Sequence, residues 1–525
     1  MKPYPLNPAT RLKTLRELVD WSADQYGQKP AFVYDERKER ISVSYTQFQK
    51  DVRRLAAYIN GLHSENNHIA LFGENSYLWI VTYFAITYCG HVVVPLDKDM
   101  PKEELPLRLK DSDSEILFLS DTYSDYGDVS AGTQTVLLSE ARQAISESKE
   151  SCADESAYPS PDASTLASIV FTSGTTGSPK GVMLSQGNFA SDLWGACCNV
   201  HLDGNGLLLL PLHHTFGLVA SLLACMYYGK SLFINRSLRN IASDLTSFKP
   251  QHIFAVPLVV ESLYRNIWAN AAKQRKDKLL KAMLKVSDAL YKVHIDLRRK
   301  LFSSVLNGLG GELSLLVSGG APIDQKYIDF FTSIGITILN GYGITECAPV
   351  VAVNRNFFQV QSSVGPILPC NEVKIAPDGE ICVRGDNVML GYYKNEAATR
   401  ECMEDGWFKT GDLGKVDQYN ALHITGRKKN LIILSNGENI SAEELEELIL
   451  NRIAYVREVV VSASPKGIAA ECYLDPEKAD ARLAINDDIA KLNRTLVPNK
   501  RISEVVIRKT EFPKTTTKKI IREKR

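Results

Sequence analysis

The stretch IVFTSGTTGSPKGVMLS, Ile169–Ser185, opens on an apolar run and passes into a loop with Gly174, Gly177 and Gly181, five hydroxyl side chains between Thr172 and Ser178, and Lys180. A strand that delivers such a loop reads as an anion holder. Glycines let backbone N–H groups turn toward a ligand, hydroxyls add donors, and lysine adds a mobile charge. The spacing is not that of the P-loop, G-x-x-x-x-G-K-[ST]. Phosphate is the expected ligand, and a triphosphate tail suits it; taken alone, a Gly/Ser/Thr cluster reads equally as a flexible surface turn.

The strand-then-loop pattern recurs outward from this point. HIALFGE, HVVVPLD, EILFLSD, GLLLLPL, KSLFINR, HIFAVP and LSLLVSGG are short apolar runs, most of them separated by segments of helical length. Such alternation predicts a large α/β domain of layered, mostly parallel sheets. The polar stretch Ser146–Thr165 reads as a surface linker. After Ser363 the strands come closer together with Gly and Asp turns, which predicts a small β-barrel-like unit. Beyond Arg427, Asn436-Gly437 signals a hairpin, and Ser441 with Glu444 forms a capping box. A boundary at Lys428–Lys429 divides the chain into residues 1–427 and a small, mobile α+β domain, residues 428–525.

The 525 residues, 44% hydrophobic and 23% charged, are those of a folded chain with more than one domain. The formal charge of +0 supplies no field for nucleic acid, although Arg494–Arg525 carries eleven Lys/Arg against three Glu. The ten cysteines include no C-x-x-C pair, so neither a zinc site nor a disulfide framework is expected. The N-terminal residues lack an apolar signal region, and no run approaches the ~20 apolar residues of a membrane span. The expected location is the cytoplasm.

A second signal lies in LNGYGITECAP, Leu339–Pro349, where Tyr342 stands between two glycines ahead of Thr345 and Glu346. An aromatic face can stack on a purine, a hydroxyl can meet a phosphate, and a carboxylate can hold Mg²⁺. Singly, each is as readily a core tyrosine or a surface acid. WFKTGDLG adds Asp412, a turn carboxylate able to accept both ribose hydroxyls, and ITGRKKN adds Arg427.

In order along the chain, FTSGTTGSPKG, GYGITE, KTGD, TGRKKNLI and FPKTTTKKIIR resemble the successive signatures of the adenylate-forming superfamily, which includes the acyl-CoA synthetases. TLRELVDWSADQYGQKPAFVYDE extends the resemblance over nearly the whole chain. The resemblance implies two half-reactions. A carboxylate attacks the α-phosphorus of ATP to give acyl-AMP and pyrophosphate, and a thiol then displaces AMP to form a thioester.

The same resemblance implies roles residue by residue. Thr172, Ser173, Gly174, Thr175, Thr176, Gly177 and Lys180 would embrace the β- and γ-phosphates. Gly319, Gly320 and Ala321 of SGGAP would flank adenine with Tyr342. Thr345 would touch the α-phosphate, Glu346 would hold Mg²⁺, and Asp412 and Arg427 would bind ribose. In LPLHHTFGL, His214 would line the acyl pocket near the reacting carboxylate, with His213 as packing. Lys519 would be the catalytic lysine, although Lys518 occupies the family's usual glycine position, and Lys429 would be the hinge.

Between AVPLVVESLY and LVSGGAP the chain inserts a helical stretch. From Lys273 to Lys300 it carries ten Lys/Arg against three Asp, with Leu280, Met283, Leu284, Leu290, Val293 and Leu297 at helical spacing. With LPLHHTFGL and LSNGENISAEELE, it looks most like long-chain fatty acid–CoA ligases. The implied acid is a medium- to long-chain fatty acid and the implied acceptor is coenzyme A. The phosphopantetheine of an acyl carrier protein presents the same thiol and is the alternative acceptor. A non-catalytic nucleotide- or acyl-binding protein is the alternative of another class. The basic stretch reads either as a solvated helix face or as a peripheral membrane contact.

Overall fold

The computed structural model describes residues 4–62, 66–130, 132–148, 158–172, 179–235, 237–433, 439–464, 467–478, 480–514, 520 and 522. All the apolar runs are strands. They read as unbroken blocks because they are buried on both faces, every residue of His68–Phe72, Val92–Leu96 and Ile116–Leu119 being buried.

In chain order the strands of the two large sheets are β1 (Pro30–Glu36), β2 (Glu39–Ser44), β3 (His68–Phe72), β4 (Val92–Leu96), β5 (Ile116–Leu119), β6 (Gln134–Leu137), β7 (Leu166–Thr172), β8 (Lys180–Ser185), β9 (Gly206–Leu208), β10 (Leu232–Ile234), β11 (His252–Ala255), β12 (Leu315–Ser318), β13 (Thr337–Gly343), β14 (Val350–Val353) and β15 (Gly391–Tyr392). One sheet runs β14-β13-β12-β11-β9-β10-β1-β2, parallel from β13 to β1 with an antiparallel strand at each edge. The other runs β15-β8-β7-β4-β3-β5-β6, with β7, β4, β3, β5 and β6 parallel. β8 and β15 are antiparallel additions. Helices cover the sheets. α1 (Gln186–Asn199) starts in a full capping box, Ser185 with Asn188. α2 (Pro257–Lys273), α3 (Asp277–Lys292) and α4 (Gln325–Ser333) close over a core that includes Leu207, Ile253, Leu316, Phe331 and Ile338.

Packing divides the chain into two compact units, and the second comprises Val373–Cys382, Trp407–Gln418 and Leu422–Arg525. The strands Trp407–Val416 and Leu422–Arg427, placed by their sequence ahead of a boundary at 428, therefore pack with the residues that follow it. Within this unit Val456–Ser464 pairs antiparallel with Gly467–Leu474, which pairs parallel with Ile502–Arg508. Helices Ala442–Arg452 and Ala481–Asn493 fill its core through Leu445, Ile449, Ile485 and Ile489.

Three local expectations are modified. Ser441 caps its helix by accepting from the Glu444 N–H at 3.3 Å, but the Glu444 carboxylate turns to Lys500 at 2.6 Å instead of completing the box. The polar stretch 146–165 is not wholly surface: Tyr158 is buried, with its ring edge-on to Tyr88 and under Arg16. In the insertion, α3 ends at Lys292, so Val293 and Leu297 fall out of helical phase and are exposed. Strands Leu431–Ile433 and Asn439–Ser441 pair antiparallel around the Asn436-Gly437 signal, which lies outside the described residues. Among the described residues no helix is long and apolar enough to cross a membrane, and none of the nine described cysteines is in a disulfide.

Candidate active site

Ligands of parallel α/β sheets bind beyond the carboxyl ends of the strands, and the motif residues of the first unit gather there. β7 ends on Thr172 and returns at Lys180, its register partner in β8. Ser173, Gly174, Thr175, Thr176 and Gly177 lie outside the described residues. In the other sheet, β12 runs on into Gly319, Gly320 and Ala321, and Tyr342 lies at the same end of the neighbouring β13, because Ser318 and Asn340 are register partners. The two sheets are tied at these same ends. Asn75, after β3, donates to the Leu210 carbonyl at 2.8 Å and accepts from the Leu212 N–H at 3.0 Å.

The central feature is a cluster of three side chains. The Tyr392 hydroxyl donates to Glu346 Oε1 at 2.8 Å, and Lys180 Nζ lies over the Tyr392 ring at 4.8 Å from its centroid. Burial, and then the Glu346 charge, push the Tyr392 hydroxyl far above its ordinary pKa, so it stays a donor. Among the described residues neither Lys180 nor Glu346 forms an ion pair, with each other or elsewhere. A bare cation and a bare carboxylate held on one tyrosine fit a ligand that brings both signs, such as a phosphate with its metal. No described group of three His, Cys, Asp or Glu could hold a metal alone. Mg²⁺ uses one or two carboxylates and takes its other oxygens from water and substrate phosphates, so a single Glu346 can serve as a protein ligand for it.

Glu346 and Thr345 share a short 3₁₀ turn, Thr345–Cys347, and that turn is clamped from behind. Met389 N–H donates to the Glu346 carbonyl at 2.8 Å, and the Asn387 amide donates to the Cys347 carbonyl at 2.8 Å. Asp192 of α1 accepts from Asn387 at 3.0 Å and from the Val350 N–H at 2.9 Å. Complete burial raises the Asp192 pKa well above the usual carboxylate range. Gly343 permits this turn to close on β14: a Cβ there would sit 2.4 Å from the Pro349 carbonyl oxygen.

LPLHHTFGL supplies the loop after β9. Its Phe216 ring packs beside Gly319, where a Cβ would come within 3.0 Å and the ring would have to give way, and Gly320 holds φ +82°, a conformation that favours glycine. His213 Nε2 lies 3.1 Å from His214 Nε2 and 3.6 Å from Asp97 Oδ1, at the end of β4. Burial lowers both imidazole pKa values, so both rings are neutral at pH 7, and the neighbouring imidazole lowers that of His213 further.

Asp412 and Arg427 belong to the second unit and face each other in antiparallel register, Arg427 Nε reaching Asp412 Oδ1 at 2.7 Å. The Asp412 carboxylate is buried and its N–H donates to Thr410 Oγ1 at 3.0 Å, so the pair is pre-set. Asp412→Ala should weaken ATP binding by about 1.5 to 3 kcal/mol, the range for hydrogen bonds to a charged group. A calorimetric Kd for ATP checks this, and an unchanged Kd would remove ribose from this position. Lys429 sits in the short turn Lys428–Asn430, whereas Lys518 and Lys519 lie outside the described residues.

Sequence reasoning passed over Tyr392, Asp97, Asn75, Asp192 and Asn387. Tyr392 stood in MLGYYKN beside a second tyrosine, with no spacing to single it out. The others gain their roles only from partners far away in sequence.

Comparison with known proteins places these features in context. The profile of the AMP-binding enzyme family matches residues 19–393. The long-chain-fatty-acid–CoA ligase FadD15 of Mycobacterium bovis is 32% identical over 445 residues, 78% of this chain and 73% of that protein. Long-chain-fatty-acid–CoA ligase 1 of Saccharomyces cerevisiae is 32% identical over 376 residues, 64% of this chain and 53% of that one. Among solved structures, the O-succinylbenzoate coenzyme A synthetase of Bacillus subtilis, in complex with ATP and magnesium ion, superposes with a TM-score of 0.76 at 23% identity, covering 98% of this chain and 99% of that chain.

Proposed function

We propose, from the premise that this chain belongs to the AMP-binding enzyme family, that it activates a medium- to long-chain fatty acid with ATP and transfers the acyl group to coenzyme A. The enzyme is an AMP-forming acid–thiol ligase with the adenylate-forming fold. Acid and ATP give acyl-AMP and pyrophosphate; the thiol sulfur then bonds to the acyl carbon as the acyl–phosphate bond breaks and AMP leaves.

The observation that carries this reading is the Lys180–Tyr392–Glu346 cluster at the strand ends. Adenylation brings one anion onto another, so charge must be neutralised by groups already in place. Lys180, with the loop from Thr172 to Gly177, would take the β- and γ-phosphates. Glu346, fixed by Tyr392, would hold Mg²⁺, which supplies Lewis-acid polarisation of phosphoryl oxygens. Thr345 would meet the α-phosphate. Tyr342, Gly319, Gly320 and Ala321 would enclose adenine, and Asp412 with Arg427 would hold ribose. A neutral His214 can offer an N–H to the acid without changing the charge of the site. The domain 428–525 would turn about Lys429 between half-reactions, bringing Lys519 and then the hairpin around Gly437 to the reacting centre.

The fatty-acid preference draws on the helical insertion, on LPLHHTFGL and on the names of the relatives. The helical segment Phe216–Leu223 is apolar and, from Gly217 onward, buried, with no aspartate to hold an amino group. A panel assay of AMP release, with and without coenzyme A, should give the highest kcat/KM for medium- to long-chain fatty acids and the lowest for amino acids. Acetate or an amino acid at the top of the panel would overturn the assignment. Thioester formation on an acyl carrier protein in preference to coenzyme A would reassign the acceptor alone.

A further inference from the structure

α3 has two apolar faces, and the fold uses one. On the inner face Leu280 and Ser287 are buried, Met283 and Leu284 pack on the core, and Ser287 Oγ donates to the Ser333 carbonyl at 2.8 Å. On the outer face Leu279 is 55% exposed, Val286 52%, and Val293, just past the helix end, 62%. Leu279 and Val286 stand seven residues apart and share one line along the helix, and Val293, past the helix end, extends the exposed apolar surface. Fifteen large hydrophobic side chains are exposed among the described residues, and six of them lie between Leu279 and Leu297.

Beside that line run Lys278, Lys281, Lys285 and Lys292, at spacings that keep them on one strip of the helix. All four are exposed and none forms an ion pair among the described residues. The acids lie on the far side of the lysine strip, toward the buried face, where Asp288 accepts from Ser333 Oγ at 2.6 Å. Two arginines beyond the helix end are already engaged. Arg298 pairs with Asp296 and covers the Tyr291 ring, and Arg299 donates to the carbonyls of Leu313, Gly335 and Gly311.

This composition selects among partners. Protein interfaces are depleted in lysine and anchored by tryptophan, tyrosine and arginine. The outer face of α3 has the reverse: exposed aliphatic side chains flanked by lysines that no described carboxylate engages, with Lys281 lying over the Trp268 ring at 5.9 Å. An anionic bilayer matches both, with Leu and Val entering the headgroup–acyl boundary and lysine stems reaching back to lipid phosphates. We propose that the outer face of α3 is an interfacial surface that holds the protein on anionic lipid. The contact rests on this face alone and not on which acid the enzyme activates, although a bilayer is where a long-chain acid would partition.

The test is sedimentation of the full chain with phosphatidylcholine vesicles, with and without phosphatidylglycerol. Binding is expected only with the anionic lipid, and it should fall as salt rises. Lys278→Gln, Lys281→Gln, Lys285→Gln and Lys292→Gln, added stepwise, should weaken it by about fivefold per lysine. Leu279→Ser, Val286→Ser and Val293→Ser together should reduce it by about tenfold or more, with far-UV circular dichroism and Tm unchanged. Absence of binding, equal binding to neutral vesicles, or binding indifferent to both sets of changes overturns the proposal. So does capture of the wild type, but not the lysine variant, by an acidic carrier protein when vesicles are not bound. Vesicle binding combined with a failed fatty-acid panel would sink the substrate reading and leave this surface standing.

Discussion

Lys519→Ala is expected to stop acyl-AMP formation, by about a thousandfold, while the variant still converts supplied acyl-AMP to thioester. The acid and the α-phosphate are both anionic, and in adenylation a preorganised cation stabilises the charge that concentrates as they meet; groups of this kind are worth about 10²–10³ in rate. Thioester formation expels AMP and brings no second anion onto the phosphate, so it does not need the same charge. Lys429→Pro is expected to give the opposite pattern. Proline fixes φ at the proposed pivot, so adenylation should survive and thioester formation should drop. Single-turnover measurement of each half-reaction decides. Equal loss of both halves in both variants would dissolve this division of labour, and Lys518→Ala would then be the variant to compare.

Glu346→Ala should lower Mg²⁺-dependent turnover by about a hundredfold while changing the Kd for metal-free ATP little. The carboxylate is assigned to the metal, and loss of a ligand or of its support costs at least the 10- to 100-fold typical of outer-shell changes. Tyr392→Phe isolates that support. It deletes the 2.8 Å hydrogen bond to Glu346 Oε1 but keeps the ring under Lys180. The phenylalanine variant should need about tenfold more Mg²⁺ for half-maximal rate, as expected for loss of a hydrogen bond to a charged group. At saturating Mg²⁺ its rate should approach wild type, an outcome that a general packing defect would not give. If Glu346→Ala and Tyr392→Phe both leave the Mg²⁺ titration unchanged, Glu346 is not the metal's ligand.

The amino-acid sequence alone determined β3, β4, β5, β7 and β9 to β12 of the two large sheets, because buried parallel strands must be apolar throughout and that leaves blocks no loop would carry. It also determined the polar motifs, since phosphate, purine and ribose each demand a distinct residue type, and five motifs in order leave little freedom. What it could not contain was proximity across the chain. Lys180 and Glu346 share Tyr392 only because β15 pairs with β8 and the Thr345–Cys347 turn is clamped by Asn387 and Asp192. Asp97 reaches His213 only because the ends of β4 and β9 meet. Periodicity likewise read one apolar stripe through the insertion, whereas the tertiary structure split it. Leu280 and Leu284 found a core to cover, while Val293 and Leu297 lay past the helix end and found none. Burial is a property of what stands opposite a residue, and for these side chains the opposite partner is set by the packing of distant elements, which no local pattern encodes.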